Sequence, residues 1–337
     1  MEGVVSEDIL TVASRYPRPT FAEVLRAQQI IARYLPRTPL YYYPSLSEML
    51  GSEIYIKHEN HQPVGAFKVR GGVNLFANMS EEEKPQGVIT ASTGNHGQSI
   101  AYGARTAGVE ARVVMPQGAN PGKVEAMRNL GAKVLFHGAD FDDAKAYCER
   151  LAVEKGYRYV SSGNEPLLIA GVATETLEIV EELPEVEAIL VPIGGGSGAA
   201  GACIVAQAVN PRIEVIGVQA EKAPSVYLSW KERRRVTTEK AETFAEGLQT
   251  RAPFELPLAI LIDYLSDFVL VNEEELRRSI LLLLEKTHNL AEGGGAAALA
   301  GAIKLKDRLR GKTVALILSG GNLSTEKLRW VLTETGV

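Results

Sequence analysis

The chain has 337 residues, with 36 Lys plus Arg against 41 Asp plus Glu and a net charge of −5. At roughly 150 residues per domain the length gives about two domains, and the mild acidic balance argues against sequence-independent binding to nucleic acid or anionic lipid. Hydrophobic residues at 45% and charged residues at 23% exclude extensive disorder, while only two cysteines, Cys148 and Cys203, exclude a disulfide scaffold and fit a reducing cytoplasm.

At the N-terminus, Glu2, Glu7 and Asp8 stand where an export signal needs a basic segment and an apolar core, so a cytoplasmic protein is expected. Thr20-Phe21-Ala22-Glu23 has the form of a capping box, and Val24, Ile30, Ile31 and Leu35 continue at helical spacing to a stop at Pro36. From there strands are expected at 54–57, 88–91, 112–115, 133–136, 159–160, 188–193, 213–219, 268–271 and 313–318, with helices between most of them. This alternation predicts the doubly wound α/β class, parallel sheets covered on both faces. The uncharged stretch 188–210 is long enough to span a bilayer, but Pro192 and Gly194-Gly195-Gly196-Ser197-Gly198 divide it into strand, loop and helix. Lys231-Glu232-Arg233-Arg234-Arg235 reads as a solvated helix face, and Ile280 with Leu281 to Leu284 as a buried helix in the core or at a subunit contact. No fixed-period repeat or low-complexity linker marks a domain boundary.

Open α/β sheets bind ligands beyond the carboxyl ends of their strands, so the residues between a strand and the next helix carry the information. Lys68 ends the first such loop, flanked by small residues and Phe67 at the mouth of a helix. Desolvation and a helix N-terminus both lower an amine's pKa and free its lone pair for a carbonyl. The second junction, Ser92-Thr93-Gly94-Asn95-His96, precedes a helix expected from near Ser99 and offers hydroxyls, an amide and backbone N–H groups suited to a carboxylate. The third is the glycine loop Gly194 to Gly198, before a helix from Ala199, where backbone amides can approach a phosphate. The fourth is Ser319-Gly320-Gly321-Asn322. Singly each is weak; together they supply what pyridoxal 5'-phosphate requires, namely an amine, a phosphate cradle and a partner for the ring nitrogen.

With Arg37-Thr38-Pro39-Leu40, Phe67-Lys68-Val69-Arg70-Gly71, Gly94-Asn95-His96, Pro192 with the glycine loop, Glu292-Gly293 and Ser319-Gly320-Gly321-Asn322 in that order, the chain resembles the fold-type II pyridoxal-phosphate enzymes. Within them it is similar to the threonine/serine dehydratase and serine racemase group, from about Ala27 onward. The resemblance implies two doubly wound parallel-sheet domains of the tryptophan synthase β type with the cofactor in the cleft between them. The small domain, 53–152, would be inserted in a large one formed by 1–52 and 153–337. It further implies that Lys68 carries the internal aldimine, Phe67 packs by the pyridine ring, Asn95 bonds the phenolic oxygen, Gly194, Gly195, Gly196, Ser197 and Gly198 hold the phosphate, Ser319 meets the ring nitrogen and Glu292 lies near the ring. Ser92, Thr93, Gly94, Asn95 and His96 would receive the substrate carboxylate.

Val69 after the lysine, where synthases of the family have Asp, and the neutral partner Ser319 both favour β-elimination over replacement or transamination. The implied reaction takes L-threonine, and L-serine with it, to a 2-oxo acid and ammonia, with the freed Lys68 amine removing the Cα proton. Serine racemase and 3-hydroxyaspartate ammonia-lyase are the alternatives on this scaffold. Thr93 bears on the first, because its hydroxyl could deliver a proton opposite Lys68, although β-branching restricts its rotamer. Ser197 replaces the family's usual fourth glycine and can itself donate to phosphate. Gln219 and Ser225 stand where related racemases bind a divalent ion and lack the charge for one, so no metal is expected. His58 and His61 lack further ligands at metal spacing. The chain stops at Val337, so no regulatory domain is expected, and the family likeness suggests a homodimer or homotetramer. A nicotinamide oxidoreductase, suggested by Gly196-Ser197-Gly198-Ala199-Ala200-Gly201 and Glu221, would leave Lys68, Asn95 and Ser319 without roles. An intact Lys68 argues against a binding protein that has lost catalysis.

Overall fold

The computed structural model describes residues 16–333; Glu2, Glu7, Asp8 and Val337, on which the export and chain-end expectations rest, lie outside the described residues. The strands are β1 (Leu40–Tyr42), β2 (Glu53–His58), β3 (Val88–Ala91), β4 (Ala111–Met115), β5 (Lys133–Phe136), β6 (Arg158–Tyr159), β7 (Ala188–Pro192), β8 (Glu214–Ala220), β9 (Asp267–Val271) and β10 (Thr313–Leu318). They form a six-stranded sheet in the order β1-β2-β10-β7-β8-β9 and a four-stranded sheet in the order β5-β4-β3-β6. All pairings are parallel except β1 with β2.

Each expected strand is present with its ends moved by at most one residue, because a parallel strand buried on both faces shows in the sequence as a compact apolar run. Alternation within those runs serves two cores. Leu190, Ile216, Val314, Leu316 and Leu318 face one cluster of the six-stranded sheet, and Ile189, Val191, Val215, Ala315 and Ile317 face the other. The smaller sheet divides likewise, with Val88, Val113 and Met115 on one side and Ile89, Ala91 and Val114 on the other.

Four expectations are corrected. Strand β2 pairs with β1 and β10 in the six-stranded sheet, and β6 pairs with β3 in the smaller one, so sheet membership changes neither at 53 nor at 152. The antiparallel β1 was not expected; three half-exposed residues between Pro39 and Pro44 give too short a pattern. The first helix has both halves of its capping box but spans Phe21–Ile31 and stops short of Leu35, since the N–H groups of Tyr34 and Leu35 both turn back to Ile31 O. Helices Asn95–Ala107 and Ser197–Val209 begin four and two residues earlier than expected, because their polar and glycine first turns look like loop in sequence.

The stretch 188–210 is strand, loop and helix as read, and among the described residues no helix is long and apolar enough to cross a membrane. Lys231 to Arg235 are exposed, but the helix ends at Glu232 and Arg233 turns out of it with φ 52°. Ile280 and Leu283 are buried in the helix Glu273–Thr287. Cys148 and Cys203 are free, buried thiols in different core clusters.

Strand order reverses beside β7, flanked by β8 on one side and β10 on the other, and beside β3, flanked by β4 and β6. Crevices open at such switch points. The loops after β7, β10 and β3 are three of the four junctions singled out in the sequence.

Candidate active site

Lys68 stands immediately before the helix Val69–Ala77 at the end of the loop that follows β2. That loop is stitched to the one after β10: Phe67 N donates to Ser319 O over 3.0 Å, Ala66 bridges Gly320, and Gly321 N donates to Gly65 O over 2.9 Å. Phe67, the residue before Lys68, is thereby fixed against Ser319. The Lys68 Nζ donates to Ser197 Oγ at 2.5 Å and lies 5.1 Å from the centroid of the Phe67 ring. Burial lowers its pKa to about 8 against the opposing pull of Glu175, so the neutral amine is accessible near physiological pH.

Ser197 opens the helix Ser197–Val209, whose N-cap, Gly196, has φ 87° and no capping side chain. The first N–H groups of a helix lack intrahelical partners, so this end is a candidate anion cradle with the dipole behind it. A Cβ on Gly194 would lie 1.9 Å from Gly247 O, which admits only glycine where that backbone passes. The cradle and the amine thus meet at Ser197.

On the opposite wall, Ser92 Oγ accepts from the N–H groups of Gly94 (3.2 Å) and Gly97 (2.8 Å), so this hydroxyl shapes the turn. His96 turns inward, with Nε2 2.8 Å from Thr90 Oγ1, and burial followed by the nearby Lys68 charge lowers its pKa to about 3. What His96 offers a ligand is its backbone. Asn95 Nδ2 donates to Glu292 Oε1 over 2.6 Å, and Asn322 Nδ2 donates to Asn95 Oδ1 over 2.8 Å. Burial raises the Glu292 carboxyl, opposed by the Asn95 bond. Thr93 is half-buried on the same turn.

The candidates outside this cleft have structural partners. Gln219 Oε1 accepts from Tyr227 N over 3.0 Å and Ser225 Oγ donates to Thr250 O over 2.6 Å. His58 and His61 stack at 5.0 Å, with His58 Nε2 2.8 Å from the Tyr43 hydroxyl and His61 Nε2 2.7 Å from Asn289 Oδ1. Among the described residues no group of three His, Cys, Asp or Glu side chains could hold a metal ion.

Sequence reasoning missed what supports the site. Arg70 is fully buried between two carboxylates, with Nε and Nη2 each 2.8 Å from Glu59 and Nη1 and Nη2 each 2.8 Å from Glu178. Lys57 Nζ joins Glu178 at 2.7 Å. Two carboxylates inside the apolar helix Pro166–Glu182 were the available signal. Lys123 bonds Glu246, which also bonds Lys327, linking the helix after β4 to the six-stranded part.

Fold and site together define a doubly wound α/β protein in which a desolvated lysine meets a helix N-terminus at Ser197. The family model for pyridoxal-phosphate dependent enzymes matches residues 31–320, and the chain belongs to that family. An L-threonine ammonia-lyase of Thermotoga maritima is 39% identical over 315 residues, covering 94% of this chain and 78% of that one. Among solved structures, the processed form of threonine deaminase isoform 2 from Solanum lycopersicum matches with TM-score 0.88 at 30% identity and covers all of both chains. Maize serine racemase matches with TM-score 0.89 at 28% identity, covering 93% of this chain and 97% of that one.

Proposed function

We propose that the protein is an ammonia-lyase that converts L-threonine, and L-serine with it, to a 2-oxo acid and ammonia. The observation that carries this is the Lys68 amine held 2.5 Å from Ser197 at the mouth of a helix N-terminus, in a chain similar to a threonine ammonia-lyase over most of its length. The residues fit the family's cofactor: the orphan N–H groups from Gly195 to Gly198 suit its phosphate, Lys68 its aldehyde, and Ser319, tied to Phe67, its ring nitrogen. Phe67 would pack by the ring, with Asn95 and Glu292 beside it.

When bound, pyridoxal phosphate supplies an aldehyde for the substrate amine and a ring that withdraws electrons from Cα. The chain's own groups do the rest. The first-turn N–H groups at Asn95 and His96, on the turn that Ser92 shapes through Gly94 and Gly97, would receive the substrate carboxylate. Lys68 Nζ, whose pKa burial lowers to about 8, would take the Cα proton in its neutral form, and the β-hydroxyl would leave with a proton as water, the remaining enamine hydrolysing to the 2-oxo acid and ammonia. Ser319 offers a neutral hydrogen bond to the ring, which suits prompt elimination.

Release of 2-oxo acid across a panel of D- and L-β-hydroxy amino acids, with chiral analysis of the remaining substrate, tests this reading; threonine should be consumed without inversion. Appearance of the opposite enantiomer faster than ammonia would make racemisation the main activity. That second reading has one favourable observation, the Thr93 hydroxyl on the turn at the cleft. 3-Hydroxyaspartate belongs in the same panel.

The same proposal includes a large domain on the six-stranded sheet and a small one on the four-stranded sheet, with the cofactor between them. It also includes a cytoplasmic location, which the two buried free thiols support, and a homodimer or homotetramer, supported by Tyr41 and Tyr42 exposed on the edge strand β1. Light scattering of the purified protein measures the last.

A further inference from the structure

Glu175 lies in the helix Pro166–Glu182, is 1% exposed, and neither of its carboxyl oxygens has a hydrogen-bond partner among the described residues. A buried carboxyl left this way is costly as an anion and still costly as an acid unless something accepts its proton. Its position is specific. Oε1 lies 3.4 Å from where a Cβ of Gly198 would stand, in the first turn of the helix that begins the anion cradle, and the same point is 3.1 Å from the Phe67 ring. Ser197, the next residue toward the cradle, is the one that holds Lys68.

The charged groups around Glu175 are already engaged. Glu59, from the turn after β2, and Glu178, one turn on along its own helix, share Arg70 between them. Lys57, from β2, is bound to Glu178 and to Thr38 O. Lys68 points to Ser197. Burial comes first and the Glu59 charge second in raising the Glu175 carboxyl well above its ordinary range, with Arg70 and Lys57 opposing. Burial without a partner thus favours the protonated form of this carboxyl.

We propose that Glu175 is a protonated hydrogen-bond donor built into the phosphate cradle, a binding residue for the phosphate of the cofactor in addition to the glycine loop. The inference rests on the proposed placement of that phosphate at Gly194 to Gly198. A neutral acid is suited to this place, since it gives a dianion a donor without adding a second mobile cation beside Lys68.

The test compares cofactor-loaded wild-type protein with Glu175→Gln, which keeps a donor and cannot ionise, and Glu175→Leu, which has none. Cofactor affinity is read by equilibrium dialysis, and the phosphate by 31P NMR between pH 6 and 9. Leu should weaken affinity about tenfold, the scale of a hydrogen bond to a charged group, and Gln by less than about threefold. The 31P signal of Glu175→Leu should be displaced from that of wild type across this range, while that of Glu175→Gln stays close to it. Unchanged affinity in Glu175→Leu, or a loss of about tenfold or more in Glu175→Gln, overturns the proposal; the second comparison stands even if the Leu variant does not fold. Ser197→Asp serves as the control for placement, because a carboxylate in the cradle must repel a phosphate. Normal affinity in that variant removes the phosphate from this loop, whereas weakened affinity there with no effect at Glu175 removes Glu175 alone.

Discussion

Asn95 Nδ2 and Glu292 Oε1 are joined at 2.6 Å across a separation of 197 residues, tying the first residue of one helix to the N-cap of another. The Asn95 amide oxygen in turn accepts from Asn322 Nδ2. Asn95→Ala removes the donor and leaves the Glu292 carboxyl, already raised by burial, without support. A loss of about 10–100-fold in kcat/KM for threonine is expected, in keeping with about 1.5–3 kcal/mol for a hydrogen bond to a charged group. Steady-state kinetics and the visible spectrum of the loaded protein are the readouts; wild-type values in both would remove Asn95 from the site.

Only the neutral amine of Lys68 attacks an aldehyde. With burial holding its pKa to about 8, the rate at which cofactor-free protein turns yellow on adding pyridoxal phosphate should rise with pH through about 8 and level off above it. Stopped-flow absorbance measures this. Lys68→Ala should retain no borohydride-fixed cofactor and lose activity by a factor of at least about 1,000.

Arg70 neutralises Glu59 and Glu178 in a site with no access to water. Arg70→Met leaves buried Glu59 without its cation and Glu178 with Lys57 alone, and a loss of about 3–5 kcal/mol in unfolding free energy is expected in urea titration. For Glu178, burial acts to raise the pKa, but the bonds to Arg70 and Lys57 outweigh it and hold the group below its ordinary value. Its contribution is therefore complete above the unfolded-state carboxylate range and is lost as pH falls through the lowered folded value. Wild-type stability should decline on that acid limb, and a flat profile would contradict the pairing.

Thr93→Ser keeps the hydroxyl on the turn and frees its rotamer, while Thr93→Ala removes it. Any inversion of L-serine should increase in the first and vanish in the second, with elimination in the Ala variant changed less than about threefold. Chiral chromatography of the remaining serine decides; inversion that survives Thr93→Ala assigns the second proton donor elsewhere.

Lys123, in the helix after β4, pairs with Glu246, and Lys327 shares the same carboxylate. Burial alone would raise the Glu246 carboxyl, yet the two lysines bring it below its ordinary value. Lys123→Ala should raise KM by about 3–10-fold with a smaller change in kcat, and the effect should shrink at high ionic strength because the pair is half in solvent. A KM equal to wild type at low salt would show that the link does not bear on substrate binding.

The sequence alone carried the class of fold and the reacting end of the site. The central strands of the parallel core bury both faces and are largely apolar, so β3, β7 and β10 appear as compact apolar-rich runs followed by Ser92, Gly194 and Ser319. Lys68 and the glycine loop were legible for a similar reason, since a close backbone approach and a reactive amine each demand one residue type. Strand β1 and the first turns after Gly94 and Gly196 were not, because short elements are fixed by their neighbours and not by their own pattern.

Tertiary structure alone decided which sheet β2 and β6 join, that Ser197 meets Lys68, that His96 faces the core, and that Arg70 lies between Glu59 and Glu178. It also decided that Glu175, in sequence one more acid on a helix, is sealed from water at the cradle. These facts depend on distances between residues far apart in the chain. Burial and charge act through space, so the proton on a carboxyl or an amine is set by what the fold brings against it.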